Sequence, residues 1–167
     1  MKSFSQILLI GLLVFSCSSK SDKEYFSESK KLLEENKIPE SISGFEKVVN
    51  DFPESELAPQ ALIQLAGIYH SKKIPALSPR ISLERADSLF YLVFQKYPES
   101  DDAPLGLFMA GFIQANELGD YQRATATYNT FLKKYPDHEM AISAKQELDN
   151  MGLTPDEILR KNLTKQE

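Results

Sequence analysis

Cysteine and histidine are scarce in this sequence, and their scarcity excludes two kinds of protein. The 167 residues include one cysteine, Cys17, so no disulfide can form within the chain. The two histidines, His70 and His138, lie far apart and outside any H-E-x-x-H arrangement. Zinc sites need several closely placed histidine, cysteine or carboxylate ligands. We therefore predict no metal site and no zinc hydrolase.

The chain also has fewer positively charged than negatively charged residues. The chain has 19 lysines and arginines against 24 aspartates and glutamates, which gives a net charge of −5. Binding to nucleic-acid phosphates or to anionic lipid requires clustered positive charge. The composition therefore predicts neither nucleic-acid binding nor electrostatic docking on a membrane.

Enzyme motifs are absent as well. The seven glycines form neither a phosphate-cradling loop nor a G-x-S-x-G elbow. The acid pairs Glu34-Glu35 and Asp101-Asp102 fall in predicted helices, where adjacent side chains point about 100° apart and do not converge on a substrate. Hydrophobic residues make up 42% of the chain and charged residues 26%, which is typical of a folded soluble domain. We predict one domain that is not an enzyme and holds no cofactor.

An apolar stretch of nine residues, 7–15, follows the positively charged Lys2 at the start of the chain. As a helix it would span about 14 Å, roughly half the hydrocarbon core of a bilayer, so it does not predict a transmembrane helix. A charged start and a short apolar segment are typical of a secretory signal. The stretch ends in Val14-Phe15-Ser16-Cys17, which resembles the lipobox of bacterial lipoproteins.

This resemblance implies that residues 1–16 are a lipoprotein signal peptide, that Cys17 is lipidated, and that residues 17–23 form a polar tether. Two or three acyl chains anchor a protein firmly, because each buried methylene contributes ~0.8 kcal/mol. No acidic residue follows Cys17 directly, which by resemblance to sorting rules in diderm bacteria favours the outer membrane. The alternative is an ordinary signal peptide with an incidental cysteine.

A short motif recurs along the rest of the chain. Residues 53–59 read PESELAP, residues 98–104 read PESDDAP, and residues 136–141 carry the looser copy PDHEMA. Before each proline lie an adjacent aromatic residue, a second aromatic residue eight positions upstream, and a small residue four positions further upstream. In chain order these residues are Ser41, Phe45 and Phe52; Ala86, Phe90 and Tyr97; and Ala124, Tyr128 and Tyr135. This frame resembles the second half of the tetratricopeptide pattern.

The frame has a physical interpretation. The small residue allows two helices to approach closely, the upstream aromatic residue fills the gap between repeats, and the proline ends the second helix of each repeat. Pro59 and Pro104 are predicted in the first turn of the next helix, where the missing N–H costs little. First-helix positions fit less evenly; they are Leu62, Leu65, Ala66 and Tyr69, and then Leu107, Ala110 and Gly111.

The pattern predicts an all-α fold, a tetratricopeptide-like helical-repeat solenoid of about three and a half repeats over residues 24–152. Helices are predicted over residues 22–35, 39–52, 56–72, 80–97, 101–117, 120–135 and 138–150. Ser78 and Asp120 are predicted N-caps, with Pro79 in the first helical position after Ser78. Thr154 and Glu157 have capping-box spacing and predict a C-terminal capping helix and tail over residues 153–167.

A lipobox followed by repeats that end in Phe-Pro or Tyr-Pro, then Glu-Ser and alanine, resembles the BamD-type outer-membrane assembly lipoproteins. The chain is also similar to the repeat domain of the YbgF proteins associated with Tol-Pal. These resemblances imply a lipid-anchored scaffold of the cell envelope, on the outer membrane and facing the periplasm. Its partners would be other envelope proteins or peptide segments. The alternatives are an accessory lipoprotein that captures an exported cargo or peptide for secretion or uptake, and a Tol-Pal or division-associated adaptor.

On the tetratricopeptide template, the first helices of the repeats line an inner groove. A partly aromatic groove suits an extended or helical segment of a partner. The predicted groove residues are Phe26, Ile63, His70, Phe108 and Phe112. For Phe108 and Phe112, packing against neighbouring helices is an equally good interpretation.

Overall fold

The computed structural model describes residues 20–164, without the side chains of residues 162 and 164. Cys17, the signal segment 1–16 and the first part of the tether lie outside the described residues. Within them every regular element is a helix: α1 (Asp22–Glu34), α2 (Ile38–Asp51), α3 (Leu57–His70), α4 (Pro79–Lys96), α5 (Ala103–Phe112), the π turn (Ile113–Glu117), α6 (Tyr121–Lys134), α7 (Ala141–Asn150) and α8 (Pro155–Thr164). The prediction of an all-α helical-repeat solenoid is confirmed.

The turns that join one repeat to the next have nearly the same geometry. Helices α2, α4 and α6 end at Phe52, Tyr97 and Tyr135, whose φ angles are −131°, −129° and −129° and whose ψ angles are 54°, 56° and 55°. The following proline disfavours the α conformation at these residues, and each helix ends at the aromatic residue. In each turn this residue's carbonyl accepts a hydrogen bond from the N–H three positions later, at 3.0, 3.0 and 3.2 Å.

The residues of the repeat frame form the core between neighbouring helices. Phe45 and Tyr128 are fully buried, and Phe90 is 4% exposed. The three small residues that precede them, Ser41, Ala86 and Ala124, are fully buried. Each helix from α1 to α7 packs mainly against the helices before and after it in the chain. The apolar core therefore runs along the whole stack, as the frame predicts.

The predicted caps are present. The side chain of Ser78 accepts a hydrogen bond from the N–H three residues later at 3.3 Å, and Asp120 accepts the equivalent bond at 3.1 Å. Thr154 accepts from the backbone N–H of Glu157 at 3.4 Å, and the carboxylate of Glu157 accepts from the N–H of Thr154 at 2.7 Å. These bonds satisfy free backbone donors and fix where α4, α6 and α8 begin.

The C-terminal end of the stack differs from its interior. Leu62 and Leu107, nine residues after their repeat prolines, are buried, whereas Lys145 at the matching position of α7 is exposed. A lysine there cannot be covered by a further repeat without a cost in desolvation. Helix α8 leaves Leu159 and Leu163 exposed.

No helix within residues 20–164 has both the length and the apolar character needed to cross a bilayer.

Candidate peptide-binding groove

A groove opens along the first helices of the two central repeats. Residues of α3 and α5 line it together with the end of α1, the start of α2 and the turn between them, the α3–α4 connection and one residue of α4. Its volume is about 600 Å³. The apolar side chains that line it are Leu33, Ile38, Ile63, Ile68, Phe90, Leu105 and Met109. Binding pockets in proteins have volumes of roughly 300–1,000 Å³ and are mainly apolar. The groove can therefore accommodate several side chains of a bound segment.

Two of the predicted groove residues, Ile63 and His70, line this groove. Phe112 is half-buried and belongs to none of the core clusters of the described residues. It follows Met109 by three positions and Leu105 by seven, so it continues the face of α5 that lines the groove.

The other two predicted residues make core contacts. Phe26 packs edge-on against Phe45, with ring centroids 5.5 Å apart. Phe108 packs edge-on against Tyr128 and Phe131, at 5.7 and 6.0 Å. Both phenylalanines remain partly exposed, but these rings hold helices together. The structure therefore brings Ile63 and His70 together in the groove and places Phe26 and Phe108 in contacts between helices.

Other groove residues were not predicted from the sequence. Leu105 and Met109 lie on α5, which has no polar residue, so hydrophobic periodicity cannot distinguish its groove face from its buried face. Gly67 lies in the middle of α3 and is exposed, and a Cβ atom added there would meet no other atom within 4 Å. Gly67 therefore leaves open space inside the groove.

An ionic cluster lies at the His70 end of the groove. His70 contacts Glu117 through its Nε2 atom, and the Nζ atom of Lys72 donates to the Oε2 atom of Glu117 at 2.7 Å. Burial opposes ionisation of Glu117, but the hydrogen bonds from Lys72 and His70 outweigh it and lower the pKa of this carboxyl. Glu117 is thus ionised and neutralises Lys72, and the contact ties the end of α3 to the π turn.

A second polar cluster lies between α4, the π turn and α6. Gln114 donates to the Oδ1 atom of Asp87 at 2.7 Å, and Arg123 donates to its Oδ2 atom at 2.6 Å. Thr127 donates to the side-chain oxygen of Gln114 at 2.8 Å. The buried carboxylate of Asp87 is paired with Arg123, and both the nitrogen and the oxygen of the Gln114 side-chain amide make hydrogen bonds. These contacts hold α4, the π turn and α6 together. Sequence reasoning missed it, because residues 113–117 read as ordinary helix.

The hydroxyl of Tyr128 is buried and has no hydrogen-bond partner among the described residues. Burial raises the pKa of this hydroxyl, which therefore stays protonated with an unpaired donor. We expect Tyr128→Phe to increase the free energy of unfolding by about 1 kcal/mol, measured by chemical denaturation. Tyr135→Phe is the control, because the hydroxyl of Tyr135 reaches the carbonyl of Pro98 at 3.4 Å and is partly exposed. A loss of stability in Tyr128→Phe would contradict this account.

The turns after α2 and α4 border a second hollow, of about 590 Å³, with a different character. Its charged lining residues are Glu54, Glu56, Glu99, Asp101, Asp102 and a single lysine, Lys96. Burial, assisted by the charge of Asp101, raises the pKa of Asp102. Even so, no group of side chains within residues 20–164 has the arrangement of a metal site. This acidic hollow is thus lined by five carboxylates and one lysine and carries net negative charge.

Comparison with known families supports the repeat assignment. A family model of the tetratricopeptide repeat matches residues 106–138, which include most of α5, the π turn, α6 and the start of the following turn. No curated protein is significantly similar to the chain. Tetratricopeptide repeats generally mediate protein–protein interaction, and their fold is typically a non-enzymatic scaffold that binds other proteins or peptides.

Proposed function

We propose that this chain is a lipid-anchored scaffold of the bacterial cell envelope whose groove binds a segment of a partner protein. The groove carries the proposal. It is apolar over the side chains of α3 and α5, it is open, and Gly67 leaves it unobstructed. An apolar groove of this kind suits an amphipathic helix or an extended segment that buries alternate side chains.

The anchor is the second part of the proposal. It rests on Cys17 at the end of the short apolar stretch, as in a lipobox, and on the polar residues that follow it. A lipid on Cys17 would confine the repeats to the surface of a membrane, by preference the outer membrane on its periplasmic side. Confinement raises the effective concentration of the groove toward membrane-bound partners, which suits a role in outer-membrane protein assembly.

Filling the groove should weaken partner binding without unfolding the chain. We expect Gly67→Trp to place an indole ring in the open space of the groove and to weaken partner binding at least about tenfold, equivalent to about 1.4 kcal/mol. Crosslinking in intact cells, followed by pull-down from solubilised envelopes and mass spectrometry, would identify the partners. Dissociation constants for each recovered partner would then be compared between the variants.

Asn129→Trp is the matched control, because Asn129 is an exposed helical residue of α6 outside the groove. It should bind like the original chain, and circular dichroism should show the same helix content in both variants. Recovery of partners by Gly67→Trp at the original affinity would contradict the groove as the binding site. Recovery of the same partners after Cys17→Ala, with the chain in the soluble fraction, would contradict the anchored scaffold.

A further inference from the structure

The charges that line the groove are unlike those of the rest of the molecule. The chain as a whole has a net charge of −5, yet none of the residues that line the groove is an aspartate or a glutamate. The lining includes one lysine, Lys73, and one histidine, His70. A segment bound in this groove therefore meets positive charge and no negative charge from its walls.

Lys73 is free to bind a ligand. Its neighbour Lys72 donates to Glu117, and His70 contacts the same carboxylate, so Glu117 is already occupied. Lys73 is exposed and makes no hydrogen bond or ion pair with any described residue. It lies in the connection between α3 and α4, one residue after Lys72, whose φ angle is 57°. The ammonium group at this end of the groove therefore has no counterion among residues 20–164.

The acidic hollow provides the opposite electrostatic environment. Five carboxylates and one lysine line it, so a segment with negative charge is repelled from the turns after α2 and α4. A segment with positive charge would be drawn to those turns and repelled by Lys73. Charge complementarity of this kind determines which partner binds and in which orientation more than it raises affinity.

We infer that the groove binds a partner segment that is apolar along α3 and α5 and that carries a carboxylate where it passes Lys73. The inference rests on the proposed function, because it specifies the partner of the same groove. The carboxylate is that of an aspartate, a glutamate or the end of the partner chain. Lys73 is then a specificity-determining residue, whose side chain pairs with this group at the end of the groove nearest the α3–α4 connection.

A charge swap tests the inference. Random twelve-residue peptides displayed on phage would be selected on the whole chain and, in parallel, on Lys73→Glu. We expect the peptides from the original chain to share an apolar stretch with an aspartate or glutamate at a fixed distance, and those from Lys73→Glu to carry lysine or arginine there. Lys145→Glu makes the same change in net charge on an exposed residue outside the groove, and should select the same peptides as the original chain.

Affinity measurements then distinguish a failure of the carboxylate preference from a failure of the groove as the binding site. Replacing the acidic residue of a selected peptide by its amide should weaken binding to the original chain about two- to fivefold, as for a partly solvated ion pair, and should not affect binding to Lys73→Gln. Acidic peptides selected equally by Lys73→Glu, or apolar peptides with no charge preference, would overturn the inference alone. Selection of the same peptides by Gly67→Trp, or of none by any chain, would overturn the groove and the inference together.

Discussion

Replacing Phe45 by alanine should lower the free energy of unfolding by about 3–5 kcal/mol, because it removes a fully buried ring and leaves a cavity. Phe45 lies in the core cluster that joins α2, α3 and α4, and its ring contacts that of Phe26. Truncation therefore weakens the contact between two repeats and the packing of α1. Urea denaturation followed by circular dichroism would measure the change.

Phe112→Ala is the matched control for this substitution. Phe112 is half-buried and lies outside the three core clusters, so we expect a loss of about 1 kcal/mol or less. Equal losses in the two variants would show that the aromatic residues of the repeat frame have no special part in the core. Such a result would contradict the repeat packing described above.

The second large effect is expected at Gly106, where α5 approaches α4 closely. A Cβ atom there would lie 2.6 Å from the carbonyl oxygen of Phe90 and 2.9 Å from the Cβ atom of Val93. Neither atom can move without shifting the backbone of α4. We therefore expect Gly106→Ala to lower the free energy of unfolding by about 1–3 kcal/mol, measured by thermal and chemical denaturation.

Gly67→Ala makes the same chemical change in a helix where the added methyl group meets no other atom within 4 Å. Alanine loses less backbone freedom on folding than glycine, so this variant should gain about 0.5–1 kcal/mol. Opposite signs at Gly106 and Gly67 would support the close approach of α4 and α5. A gain in stability at Gly106 would show that the helices are further apart than the structure has them.

The parts of the fold that could be predicted are those fixed by local rules. Proline disfavours the α conformation at the residue before it, which favours a helix end at Phe52, Tyr97 and Tyr135. Ser78 and Asp120 could be identified as caps because a short polar side chain before an apolar run satisfies a free N–H. The repeat frame then predicted which residues are buried, because each repeat reuses the same contacts.

The π turn could not be predicted, since it depends on contacts with other helices. Nothing in residues 113–117 distinguishes a π turn from ordinary helix, and the wide turn is defined by the N–H of Leu118 donating to the carbonyl of Ile113 at 2.9 Å. The turn directs Gln114 toward Asp87 and places Glu117 beside His70. Asp87 lies on α4 and His70 on α3, so the sequence of residues 113–117 alone does not indicate these contacts.

The candidate groove could be predicted only in part for a similar reason. The tetratricopeptide template predicts that first helices line the groove, but it does not predict which of their aromatic side chains find a partner. Phe26 and Phe108 pack against neighbouring rings, whereas Phe112 has no ring partner in the part of the chain that the structure describes. The open space at Gly67 and the lack of an ion pair for Lys73 among the described residues depend on the arrangement of neighbouring helices. The sequence alone does not give this arrangement.

We propose that the groove between α3 and α5 holds a partner protein at a membrane. The most direct test is a photo-reactive amino acid in place of Gly67, activated in intact cells, with the same amino acid in place of Asn129 as the control. We predict a discrete crosslinked partner from position 67 and none from position 129, with the crosslink found in the membrane fraction and lost when Cys17 is changed to alanine. The same crosslinks from both positions, or no partner from position 67, would contradict the account.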